Sequence, residues 1–315
     1  MEAATGIELD AQYRLLREEA GWVERAGRAL IVVRGAEAAD YLQGQLTNDV
    51  EALGPGEGCY AALLDRKGHM QGDMAVLRRS DDEFLIATEE VARPAVARHL
   101  DMYKIGRDAE VEDITENHTA ISVIGPAAIP ALGIAPLSPE HANREEEIGG
   151  VTCVVAATDV GVDLYFGSKS RDSVVEALGE AGIEPVTEDA AEILRVETGR
   201  PRFGAEMSTQ TIPQEAGINE RAVSFTKGCY IGQETVARLH YKGKPNRHLR
   251  GLRLAAPAGA GDPVSLDDRE LGTVGTAVIS PARGPLALAI LRREAEPGAT
   301  VTVGETTGEV VELPF

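Results

Sequence analysis

The segment ELGTVGTAVISPARGPLALAILRR (residues 270–293) decides how the chain is divided. Two runs of alternating apolar and small or polar residues flank a Pro/Gly-containing break, the pattern of neighbouring strands joined by a turn. HLRGLRL (248–254) precedes it, and TVTVGE (300–305) and GEVVEL (308–313) follow, again separated by Pro and Gly. Short strands at this spacing predict a small all-β barrel or sandwich from about residue 246 to residue 315.

Upstream the pattern changes. ELDAQYRLLREEA (8–20) is an amphipathic helix, and ALIVVRG (29–35) is a buried strand closed by Gly35. CYAALLDRKGHMQGDMAVLRR (59–79) reads as a hairpin turning at Lys67-Gly68, and FLIATEE (84–90) adds a strand. VARPAVARHLDMYK (91–104) is helical, with Pro94 tolerated in the first turn. The same alternation recurs in TAISVIGPAAI (119–129), VTCVVAATDVGVDLYFG (151–167), RDSVVEALGEAG (171–182) and DAAEILRVETGRP (189–201). The expected fold class is α+β with mixed or antiparallel sheets over residues 1–245, followed by the barrel at 246–315.

Composition narrows the function. With 43% hydrophobic and 26% charged residues the chain has the make-up of a soluble globular protein. Its net charge of −20 repels nucleic acid and anionic membrane, so direct contact with either is not expected. The longest uncharged run, residues 120–137, is broken by Pro126, Pro130 and Pro136 and makes a poor membrane helix. The N-terminus lacks the apolar stretch of a signal peptide, and a cytoplasmic location is expected. Three scattered cysteines give no disulfide framework, and the histidine spacings give no metal site.

Three features carry possible chemistry. In KGCYIGQE (227–234), Cys229 follows Lys227 and precedes a short helix predicted over 232–240. Both neighbours favour a thiolate, although a lone cysteine is also a common packing residue. VARLHYKGKPNRHLRGLR (236–253) holds six cations and no acid, which suits an anionic ligand or tail. Among the carboxylates, Asp73 begins a strand after a glycine, and Glu197 ends a helix between Arg195 and Arg200. No nucleotide-binding loop or serine-hydrolase elbow is present.

YLQGQLTNDV (41–50), the 59–79 hairpin, LRVETGRPRFGAEMSTQTIPQEAG (194–217) and KGCYIGQETVARLHYKG (227–243) together resemble the YgfZ branch of the glycine cleavage T-protein superfamily, and LGTVGTAVISPARGPLALAILRR (271–293) resembles the barrel domain of that superfamily. The resemblance implies a ring of two α+β folate-binding subdomains plus the C-terminal barrel, the second subdomain inserted at about 50–117. It implies tetrahydrofolate or a one-carbon derivative as cofactor, and a role as an accessory protein for iron–sulfur enzymes, including tRNA-modifying ones, or their assembly proteins. Cys229 would be the functional thiol. Glu197 matches the glutamate that pairs with the pterin, and Asn48, in LTND, approaches the pocket. The stretch around Tyr241, Lys242 and Arg247 suits the glutamyl tail. Asp73 matches an aspartate that T-proteins place near the reactive folate nitrogens and that many YgfZ-branch members lack. It keeps open an aminomethyltransferase of the glycine cleavage type. A non-catalytic folate-binding scaffold is the third alternative.

Overall fold

The computed structural model describes residues 8–315. The chain opens with α1 (Leu9–Glu18) and β1 (Gly21–Glu24), and then builds a first sheet region from β2 (Arg28–Arg34), α2 (Ala38–Gln45), β3 (Gly58–Leu64), β4 (Met70–Arg78), β5 (Glu83–Glu89), α3 (Arg93–Tyr103) and β6 (Glu110–Asp113). A second region follows with β7 (His118–Ile124), α4 (Ala128–Leu132), β8 (Asn143–Ile148), β9 (Val151–Ala157), β10 (Gly161–Gly167), α5 (Arg171–Glu180), β11 (Glu184–Pro185) and α6 (Glu188–Glu197). Two helices, α7 (Asn219–Ala222) and α8 (Gln233–Lys242), lie in a long connection that leads to β12 (Arg247–Leu254), β13 (Pro263–Leu266), β14 (Arg269–Ser280), β15 (Gly284–Arg292), β16 (Thr300–Val303) and β17 (Thr306–Val311).

The first sheet has the order β3-β4-β5-β2-β6 and is antiparallel throughout. The second has the order β11-β1-β7-β10-β9-β8. Because β1 pairs with β7, the whole first sheet is an excursion between these two strands. It begins at β2, near residue 28, rather than near residue 50. The strands β1, β6 and β8 escape the hydrophobic-pattern reading. β8 (NREEEI) is acidic and lies at a sheet edge, where charge blunts unwanted pairing.

The last six strands close into a barrel in the order β12-β15-β14-β13-β16-β17, with β17 pairing back onto β12. Leu252, Val264, Val274, Leu291, Val301 and Val310 fill its interior. Its outer face meets α6 through Val196, Leu286 and Leu288. No helix among the described residues is long and apolar enough to cross a membrane.

The two sheets face each other through Leu30, Val32, Leu77, Leu85, Ala87, Ala120, Ala156 and Tyr165. The opposite face of the first sheet buries α2, α3 and part of the long connection, including Phe203, Met207, Ile218 and Val236. Helix α6 is well specified locally. Thr187 caps its first turn by accepting from the Ala190 amide, Glu188 and Asp189 sit at its positive end, and Gly199 (φ +71°) ends it.

The N-terminus of α8 rests on the β3–β4 turn. Gly232 has φ +84°, and a Cβ there would stand 2.5 Å from the Asp65 carbonyl oxygen. Gly68, in the turn itself, would bring a Cβ to 2.9 Å from Thr235. Gly232→Ala therefore combines left-handed backbone strain of about 1–2 kcal/mol with a backbone clash. A fall in the urea midpoint corresponding to at least that loss is expected; an unchanged midpoint would show that α8 does not need the turn.

Candidate active site

At one end of the contact between the sheets lies a cavity of about 480 Å³, within the usual range for a small-molecule site. Strand periodicity places it there. On the inward face of the first sheet, Val32, Leu85 and Leu77 form one cross-strand row, Leu30, Ala87 and Ala75 the next, and Arg28, Glu89 and Asp73 end the series. The second sheet contributes Ser122, Asp163, Tyr165 and Ala156. One side is lined by α6 through Glu188, Ala191, Glu192, Leu194 and Arg195. Arg200, Arg202 and Arg221 come from the long connection.

Six arginines line the cavity, and each meets a carboxylate. Arg28 lies 3.2 Å from Glu89, Arg25 2.7 Å from Glu188, and Arg202 3.4 Å from both Glu188 and Glu192. Arg195 reaches Glu192 at 2.7 Å and Glu206 at 3.0 Å. Arg200 and Arg221 each donate to Glu140 Oε1 at 3.0 Å, and Arg200 also pairs with Asp159 at 2.9 Å. Burial opposes ionisation of Glu192, yet its arginine partners hold the carboxyl below its ordinary value.

Two inner carboxylates are held by hydroxyls instead. Asp163 accepts from Ser122 at 2.5 Å and from Tyr165 at 3.0 Å, one on each oxygen. Asp73 accepts from the Tyr60 hydroxyl on Oδ2 at 2.5 Å, whereas Oδ1 is buried with no hydrogen-bond partner among the described residues. Burial pushes the Asp73 carboxyl up to about 6; the Tyr60 hydrogen bond and Arg28 restrain the rise, and Glu89 adds to it. His141 Nε2 is likewise buried without a hydrogen-bond partner, and burial lowers that imidazole, favouring the neutral ring.

Of the residues expected from sequence, only Asp73 lines this cavity. Asn48 stands just behind the wall. Its amide donates to the backbone carbonyls of Tyr60 (2.8 Å) and Arg221 (2.9 Å), joining two wall segments.

Glu197 is turned away. In the last turn of α6 it faces α1 and the barrel, where it is 4% exposed. Tyr13 donates to both its oxygens, Ser280 donates to Oε1 at 2.5 Å, and Arg17 lies 3.7 Å from Oε2. So placed, Glu197 does not line the cavity.

Tyr241, Lys242 and Arg247 are exposed at the end of α8 and the start of β12, off the cavity. Cys229 is also exposed and outside the cavity. Lys227 does not serve it. The Lys227 ammonium donates to the carbonyls of Gln43, Leu46 and Asn48 at 2.6–2.8 Å, clamping the C-terminal end of α2, and burial lowers it to about 8.

Sequence reading missed Tyr60, Arg28, Glu89, Arg221, Glu140 and His141. A signal exists for two of them. Arg28 and Glu89 occupy the period-two positions that continue the inward apolar rows, where a charge is costly unless a site requires it.

Comparison with known proteins assigns the chain to a family. The model of the GCVT N-terminal domain matches residues 6–227. The chain belongs to the GCVT family. Curated relatives named aminomethyltransferase include one from Rubrobacter xylanophilus, 28% identical over 98% of this chain and 86% of the relative. Another, from Saccharopolyspora erythraea, is 27% identical over 97% of this chain and 89% of the relative. The crystal structure of glycine cleavage system aminomethyltransferase T from Bartonella henselae shares the fold with a TM-score of 0.87 at 20% identity, covering 98% of this chain and 90% of that one. GCVT aminomethyltransferases use tetrahydrofolate as their one-carbon carrier.

The folded value for Asp73 lies above the unfolded value of 3.8, so the protonated form favours the fold. That contribution is complete below about pH 4 and is lost as pH rises through about 6. Asp73→Asn keeps an acceptor for Tyr60 and removes the buried charge. It should raise stability above pH 7 by up to about 3 kcal/mol and leave it unchanged near pH 3.5. Denaturant titration at the two pH values checks this; equal effects at both would refute it.

Proposed function

We propose that the protein is a folate-dependent one-carbon transferase of the aminomethyl type, with Asp73 as its proton-handling residue. The observation that supports this reading most directly is the unpaired, buried Oδ1 of Asp73. An orphaned carboxylate oxygen in a charged cavity needs an N–H donor, and a folate amine or the substrate amine provides one. Tetrahydrofolate, when bound, supplies the nitrogen that carries the one-carbon unit. Asp73 accepts a hydrogen bond from the reacting N–H at Oδ1 and takes up a proton there, a task suited to a carboxyl that titrates near 6. The wall arginines offer charge-assisted contacts to the glutamyl carboxylates.

The test supplies purified protein with an aminomethyl-loaded lipoyl carrier and tetrahydrofolate. Ammonia release is expected, with Asp73→Asn reducing it about 100-fold or more while leaving folate affinity by titration calorimetry within a few-fold. No ammonia from the wild type, or full activity in the variant, would sink the proposal.

A second reading rests on KGCYIGQE and the YgfZ-branch resemblance. An exposed Cys229 outside the folate cavity suits an accessory protein that meets iron–sulfur enzymes or their assembly proteins through a surface thiol. A single thiolate does not complete a cluster site, so the partner would supply the other ligands. Complementation of a YgfZ-deletion strain separates the readings. If Cys229→Ser fails to restore activity of the cluster enzymes while Asp73→Asn restores it, the accessory role stands and the transferase role is secondary. The reverse pattern eliminates it.

A further inference from the structure

Arg221 has no counterpart in the sequence-level expectations, yet it meets the Tyr60–Asp73 pair from the far side of the phenol. Its guanidinium carbon lies 4.8 Å from the Tyr60 ring centroid, a cation–π distance. Glu140 holds the guanidinium through its contact at 3.0 Å, and Arg200 secures the same Glu140 oxygen. Asn48 ties the Arg221 and Tyr60 backbones together. The imidazole of His141 lies 6.5 Å from the same phenol ring, nearly parallel to it. The ring is thus restrained by its backbone and its aromatic face, and its hydroxyl has one acceptor, Asp73 Oδ2.

We infer that Arg221 is a positioning residue that acts through the Tyr60 ring, fixing the phenol on Asp73 Oδ2 and so reserving Oδ1 for the incoming N–H. A cation on the π face draws electron density from the ring and strengthens the hydroxyl as a donor. Tyr60 then occupies one carboxylate oxygen permanently, and the other is the one available for chemistry. The inference rests on the one-carbon reading only for the identity of that N–H group. The other charged groups around the pair are Arg28 on β2, Glu89 on β5, Asp163 on β10, and Glu140, His141 and Arg200 on the connections. They remain in place in every variant below.

The experiment follows the Asp73 carboxyl by NMR in full-length protein labelled at the aspartate 13Cγ, with the Asp73→Asn spectrum assigning the signal. No ligand is required. Arg221→Met should raise the Asp73 midpoint by about half a pH unit, and Arg221→Lys should restore most of it. Tyr60→Phe should raise it further, and Tyr60→Phe/Arg221→Met should match Tyr60→Phe alone. A full Arg221→Met shift persisting in the Tyr60→Phe background would show action through space and overturn the inference, as would no shift at all. Should Arg221→Met fail to fold, Arg221→Gln takes its place in the same cycle. Failure of the one-carbon reading appears separately, as no calorimetric binding of tetrahydrofolate to the wild type.

Discussion

Everything at the site depends on where two facing sheets stop burying hydrocarbon. Three neighbouring strands run inward from Val32, Leu85 and Leu77, through Leu30, Ala87 and Ala75, to Arg28, Glu89 and Asp73. Side chains two residues apart share a face, so the row that would continue the apolar contact is charged instead. The sheets cannot close there without burying unpaired charge, and a cavity results. The first rows provide the contact that holds the sheets together; the last row gives up that contact and lines the cavity. For most cavity carboxylates pairing with arginine limits the penalty, and Asp163 has a hydroxyl on each oxygen. Asp73 has only a phenol on one oxygen and burial around the other, and its raised titration point follows.

The barrel, the 59–79 hairpin and most helices were legible in the sequence because each is set by local periodicity and punctuation. The sequence singled out Asp73 through its family match, and the structure places it in the fourth position of β4, lining the cavity. The rest of the site was not legible, because its partners are far apart in the chain. The alignment of Arg28 with Glu89 is fixed by a strand pairing across about sixty residues. Glu197 is turned from the cavity by Tyr13, 184 residues earlier, and Ser280, 83 residues later. A helical pattern shows that positions 194 and 197 share a general side; it cannot show which of two buried environments each will enter. Lys227 was placed beside Cys229 by adjacency, whereas its ammonium is satisfied by carbonyls some 180 residues upstream.

These long-range contacts also give the KGCYIGQE stretch a division of labour. Its first residue, Lys227, closes the end of α2 and draws Asn48 toward the wall that carries Tyr60 and Arg221. Gly232 seats α8 on the turn that precedes β4, the strand bearing Asp73. Tyr230 is buried in the same core as α2 and β3. Cys229 faces solvent. A stretch anchored this firmly on both sides needs no reactive thiol to explain its lysine, tyrosine and glycine. The physical argument for a functional cysteine therefore narrows to one exposed atom on a rigid mount. That mount touches the back of the cavity's wall, through Asn48 and the hairpin, and not the cavity itself. Cys229 is reached from outside and Asp73 from within the cavity, so the proposed roles of the two can be separated by single substitutions.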